Sequence, residues 1–211
     1  MRILKILPIL LITTASCSYQ SKEVKPVPPN IIMFLVDDMG WQDTSVPFWT
    51  KMTEFNRRYQ TPNMERLAAE GMKFTQAYAT AVCSPTRVSL MTGMNAARHR
   101  VTNWTLRPDV VKPKETDHPV FDFPMWNVNG ISPDSARPNS VHATPLPEIL
   151  KNNGYHTIHV GKAHLGAIGR VGEDPLNLGF KVNIAGHAAG APKSYYGTEN
   201  FGNLKEFEGT P

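Results

Sequence analysis

The sequence is poor in cysteine, in charge of one sign and in long apolar runs. Lysine and arginine number 22 against 18 aspartates and glutamates. Without Arg2 and Lys5 of the leading segment the balance is 20 against 18, too small an excess to argue for nucleic acid as a partner. The leading apolar run, Ile6 to Ile12, is far too short to span a bilayer. It follows a short basic start and precedes the small residues Thr14, Ala15 and Ser16, the order found in a secretory signal. No internal repeat is present. A composition of 41% hydrophobic and 19% charged residues excludes a disordered or collagen-like chain. Loop formers, by contrast, are plentiful, with 18 prolines and 15 glycines. Loops held on a rigid scaffold often carry binding function.

Only Cys17 and Cys83 supply thiols. The small-residue run ending at Cys17 resembles a bacterial lipoprotein cleavage site, with Thr14 where leucine is usual. The alternative is ordinary signal-peptidase cleavage nearby, with Cys17 incidental. The expected organisation is a signal peptide over residues 1–16, a polar, proline-rich tether over 17–29 and a folded region over 30–211. The expected location is outside the cytoplasm, in the periplasm or as an outer-membrane or cell-surface lipoprotein. Membrane contact is expected only through a lipid on Cys17. Cys83 is then a lone thiol in an oxidising compartment, a liability unless it has a task or is chemically changed. The alternative is a buried, inert cysteine.

Asn30 to Val36 is a continuous apolar run ending in Asp37-Asp38-Met39-Gly40, which predicts a strand buried on both faces. Thr61 and Pro62 predict a helix start, with Met64, Leu67 and Ala68 on one face and Gly71 as the stop. Met72 to Ala79 predicts a second strand. A short helix follows between Pro85 and Gly93. From Arg98 to Asn139 no period is found, so a long, partly packed loop is expected. Leu146 to Asn153 predicts a helix closed by Gly154, and Tyr155 to Val160 a third strand. Alternating strands and helices predict an α/β fold with a mostly parallel sheet flanked by helices. Ligands of such sheets gather at the carboxyl ends of strands, and three polar clusters follow the three predicted strands.

Asp37 and Asp38 can share a cation only where the chain turns, and Gly40 permits a turn. Carboxylate oxygens suit Ca²⁺ or Mg²⁺; a solvated loop or a helix cap is the plainer reading. Cys83 at a helix start meets free N–H groups and the positive dipole end, a place for an anion. Arg87, one turn on, can point back at position 83. An inert cysteine beside a surface arginine has the same pattern. Lys162 and His164, two apart on an extended segment, share a side. They offer an anion a charge and a proton shuttle, or they are solvated side chains on a glycine-rich turn.

The run Cys83-Ser84-Pro85-Thr86-Arg87-Val88-Ser89-Leu90-Met91-Thr92-Gly93 resembles the signature of type I sulfatases. The run from Gly154 to Gly166 resembles that family's second signature, and Asp37-Asp38-Met39-Gly40-Trp41 its opening metal strand. The resemblance implies an alkaline-phosphatase-like fold, incomplete in this chain, with residues 30–211 as the amino-terminal part of a catalytic domain. It implies that Cys83 is oxidised by a separate maturation enzyme to formylglycine, whose hydrate attacks sulfur. It implies a Ca²⁺, in preference to Mg²⁺, on Asp37, Asp38 and the modified Cys83. Arg87 would steady residue 83, Lys162 would bind sulfate, and His164 would contact the hydrate and help its collapse. The substrates implied are sulfated compounds, with a sulfated glycan favoured by a weaker likeness at 179–186 and 194–197 to exported bacterial carbohydrate sulfatases.

Ala163 stands where the family usually has tryptophan. The family's further metal pair, second lysine and second histidine have no placed counterparts; His187 is read as a loop histidine. The chain alone is therefore expected to be nearly inactive. Two rivals remain: a phosphonate or phosphodiester hydrolase of the same superfamily, and a truncated, non-catalytic lipoprotein.

Overall fold

The computed structural model of the chain describes residues 27–111, 118–192 and 194–199. The signal segment, Cys17 and most of the tether lie outside the described residues. The chain divides into two compact units, Met1–Leu35 and Val36–Pro211. In the first, the described residues have no regular structure and are exposed, with Ile32 at 90% and Phe34 at 87%. The strand predicted over Asn30 to Val36 is therefore not formed. Nor is the one over Met72 to Ala79, where Phe74 and Tyr78 are exposed. Apolar content marks a segment as needing burial. A strand also needs a neighbour to pair its N–H and C=O groups, and among the described residues neither run has such a ladder.

The third predicted strand is present as β1, Ile158–Val160, paired in parallel with β2, Val182–Ile184. The register sets Ile158 beside Val182, His159 beside Asn183 and Val160 beside Ile184. The ladder runs on through Gly161 N–H, which donates to Ile184 O at 2.8 Å, and Lys181 N–H, which donates to Thr157 O at 2.8 Å. A parallel pair requires a crossover of a dozen residues or more. Here it is built from two 3₁₀ turns, Val171–Glu173 and Pro175–Leu178. The chain is thus α/β with a small parallel sheet.

Among the described residues four α-helices accompany it: α1 Pro62–Glu70, α2 Cys83–Thr92, α3 Ala96–His99 and α4 Leu146–Asn152. Proline or turn residues open three of them as the sequence predicts. Thr61 does not cap α1, however. Its hydroxyl accepts from Ser45 N–H at 3.0 Å and meets Ser45 Oγ at 2.8 Å, tying the helix start to an earlier loop. Gly93 closes α2 in the left-handed conformation (φ 67°), with its N–H on Ser89 O.

The core consists of Val88, Val101, Trp126, Val128, Ile131, Val141, Ala163, Leu165 and Leu178. Five of these lie in the stretch between α3 and α4, whose described residues form neither helix nor strand. The described part of that loop supplies much of the core, more than its sequence suggests. Its backbone is satisfied by pairing with the segment after β1: Ile131 N–H donates to Leu165 O at 2.9 Å, and Gly130 bridges Gly166. Three glycines make this approach possible. A Cβ on Gly130 would lie 2.3 Å from Leu165 O, and one on Gly166 would lie 2.6 Å from the Cα of Gly172. Main chain touches main chain there, which only glycine allows.

Ile131 is fully buried. Ile131→Ala is expected to lower the unfolding free energy by about 2–5 kcal/mol, the range for a truncated core aliphatic, measured by urea denaturation. Acid should also weaken the fold. Burial holds His99 below its ordinary value of 6.5, against backbone hydrogen bonding that raises it. Nδ1 accepts from Val101 N–H at 3.0 Å and Nε2 lies 2.8 Å from Ser89 Oγ, an arrangement that suits the neutral ring. As pH falls below 6.5 the unfolded chain takes up this proton first, so stability is full above that pH and declines below it. His99→Gln is expected to flatten the decline, read as the denaturation midpoint between pH 7.5 and 5.5.

Candidate active site

Residue 83 is the first residue of α2. The helix has no acidic residue in its first turn and no side-chain cap, and Pro85 has no N–H to offer. Its amino end is held instead by neighbours. Ser84 Oγ accepts from Thr105 N–H at 3.3 Å, and Thr86 Oγ1 meets Thr80 Oγ1 at 2.6 Å. The unpaired N–H groups and the dipole end therefore point at residue 83 without a competing carboxylate, a favourable place for a bound or developing anion.

Cys83 Sγ lies 3.3 Å from His164 Nδ1. His164 is 3% exposed, and its backbone takes a positive φ of 52°. Its proton affinity is pushed down to about 4, first by burial and then by the charges of Lys162 and Arg87, against the opposing pull of Asp37. The imidazole is neutral at physiological pH. The other ring nitrogen, Nε2, is buried with no partner among the described residues.

Arg87, on the next turn of α2, has partners from two other segments. Its side chain is 9% exposed, and its guanidinium donates to Lys162 O at 2.6 Å and to Asp37 Oδ1 at 3.1 Å. Lys162 Nζ donates to the other oxygen, Asp37 Oδ2, at 2.5 Å. Asp37 is thus clasped by two cations. Partial burial alone would raise its pKa, but the hydrogen bonds from Lys162 and Arg87 outweigh this and hold it below the usual carboxylate range. The turn predicted near Gly40 begins earlier, with Asp38 itself left-handed (φ 54°) and exposed.

Lys162 and His164 meet the site by a different route from the extended segment predicted. Gly161 (φ 89°) and His164 bend the chain as it leaves β1. Lys162 turns to Asp37 and His164 to Cys83. Ala163 between them is buried in the core, so the position does serve packing. His187, read from sequence as a loop histidine, is 7% exposed, and its carbonyl accepts from His164 N–H at 3.1 Å.

The two carboxylates are hard oxygen donors of the kind that suit Ca²⁺ or Mg²⁺. Among the described residues, however, no group of three or more His, Cys, Asp or Glu side chains is gathered to hold a metal ion. Asp37 and Asp38 fit such an ion in chemistry and fall short of the six to eight oxygens that Ca²⁺ takes. Among the described residues no helix is long and apolar enough to cross a membrane.

Together these elements gather a thiol at a helix amino terminus, a neutral imidazole and two cations. Comparison with known proteins shows the family. The family model described as Sulfatase matches residues 29–206. N-acetylgalactosamine-6-sulfatase of Rattus norvegicus is 38% identical over 175 residues, covering 82% of this chain and 27% of that protein. A protein named "Sulfatase" from Formosa agariphila is 33% identical over 177 residues, covering 83% of this chain and 30% of its own. Arylsulfatase G of Mus musculus is 34% identical over 139 residues, covering 65% and 20%. The chain belongs to the sulfatase family. It spans less than a third of the length of these relatives.

The Asp37–Lys162 pair gives a direct test of the geometry. Asp37→Asn and Lys162→Met, singly and together, are expected to show a coupling of about 0.5–2 kcal/mol in denaturant melts, as contacting charges do. Additive effects would mean that the pair is not formed in solution.

Proposed function

We propose that the chain carries the nucleophile-bearing part of a sulfuric ester hydrolase acting on a sulfated carbohydrate. The observation that supports this most is the meeting of Cys83 and His164 at the start of α2, beside the Asp37–Arg87–Lys162 cluster. The relatives' names, sulfatases throughout and an N-acetylgalactosamine-6-sulfatase among them, favour a sulfate ester on a sugar.

In this reading Cys83 is oxidised to formylglycine by a maturation enzyme. One hydroxyl of the hydrated aldehyde would attack sulfur as the S–O bond to the alcohol breaks and the alcohol leaves with a proton; loss of the proton from the second hydroxyl would then re-form the C=O and break the C–O bond to sulfate. A divalent cation, Ca²⁺ by preference, would rest on Asp37 and Asp38 and neutralise sulfate charge. The chain's own side chains do the rest. Lys162 supplies a positive charge beside residue 83 for the substrate's sulfate oxygens. Arg87 holds the Lys162 carbonyl and Asp37 in place, and acts by orientation. His164, neutral and aimed at position 83, is ready to take a proton from the hydroxyl there and return it later. Export to the periplasm or cell surface is the matching location.

The test uses the full-length protein made together with a sulfatase-maturation enzyme. Mass analysis of the peptide bearing residue 83 is expected to show loss of the thiol and gain of an aldehyde. Turnover of an aryl sulfate should exceed that of the matching aryl phosphate, and Cys83→Ala should abolish it. Lys162→Ala should raise KM for the sulfate ester more than it lowers kcat. A preference for the phosphate or phosphonate ester would overturn the substrate class, and an unmodified Cys83 in the native host would overturn the mechanism.

A further inference from the structure

The segment after β2, residues 187–190, has no part in the chemistry above, yet it forms a wall against His164. Ala188 and Ala189 are buried, and Ala189 N–H donates to His187 Nδ1 at 2.9 Å, which folds the segment on itself. The His187 carbonyl then fixes the backbone of His164 through the 3.1 Å hydrogen bond. Gly190 follows, and its bare backbone lies against the imidazole. A Cβ at position 190 would sit 3.0 Å from His164 Cε1 and 3.1 Å from His164 Nδ1, but 3.7 Å from Lys162 Nζ. The first two distances are tighter than ordinary contact, and the third is ordinary. The crowded edge of the ring is the one that faces Cys83 Sγ. The ring is nearly closed from solvent and has little room to retreat.

We infer that Gly190 is a positioning residue. Its lack of a side chain lets His164 lie with Nδ1 toward residue 83. An added methyl presses on the ring at the edge that makes the contact, while the Lys162 ammonium is left in place. The effect on catalysis rests on the reading of the site given above; the steric claim does not.

The experiment separates the two. Full-length protein made without a maturation enzyme keeps Cys83 as a thiol, and its alkylation by iodoacetamide is timed. His164→Gln and Gly190→Ala are each expected to change the rate in the same direction. The double variant should match His164→Gln alone, because the glycine acts only through the ring. A folded Gly190→Ala protein with the parent's rate, or a double variant in which the two effects add in full, overturns the inference. If Gly190→Ala does not fold, His164→Ser is combined with it to make room for the methyl. Recovery of a cooperative melt supports the steric claim, and no recovery refutes it. In matured protein, Gly190→Ala is expected to lower kcat by less than about a hundredfold, because the ring need give only a few tenths of an ångström where a full ångström can bring that loss, with KM for the sulfate ester near the parent's. Unchanged alkylation coupling with no turnover in any variant, the parent included, would count against the proposed activity and leave the positioning role standing.

Discussion

The guanidinium of Arg87 is the contact on which the site depends. From the middle of α2 it reaches the Lys162 carbonyl and the Asp37 carboxylate. Three segments distant in sequence are thereby held at the start of one helix. A buried guanidinium needs partners in fixed directions, and its planar fork supplies the directions. Lysine there could neutralise Asp37 but could not also hold the carbonyl in the same plane. Replacing Arg87 would leave Asp37 and the turn after β1 without a common support.

Charge arrangement follows from this contact. Asp37 meets two cations, and the exposed carboxylate of Asp38 beside it offsets the second positive charge. The neutral imidazole of His164 adds no charge. On the proposed reading, an anionic ester would meet the Lys162 ammonium and the amino end of α2, both of which favour negative charge.

Much of this was legible in the sequence where local punctuation decides structure. Pro62, Pro85, Gly93 and Gly154 mark helix ends, and three of the predicted helices stand within a residue or two of their expected limits. Strands were read less well. Asn30 to Val36 and Met72 to Ala79 are apolar enough, but pairing is a property of two segments and composition describes one. Arg87 illustrates the same limit: helix geometry says which face it shares with Cys83, yet its partners come from elsewhere in the chain. Asp37, Cys83, Lys162 and His164 were read together because each follows a predicted strand, yet only the strand before Lys162 and His164 is formed, so the other two are placed by loop and helix. His187 and Gly190 carry no local signal at all, since their roles lie in what approaches them.

The contact among Gly130, Gly166 and Gly172 has a consequence for how the protein responds to its surroundings. It joins the core to the turn that bears Lys162 and His164 through main-chain atoms alone. Ionic strength does not screen such a contact, and no rotamer change relaxes it. The backbone of that turn is therefore seated by shape. Salt can loosen the ion pairs around Asp37, while the main chain that carries Lys162 and His164 keeps its place against the core.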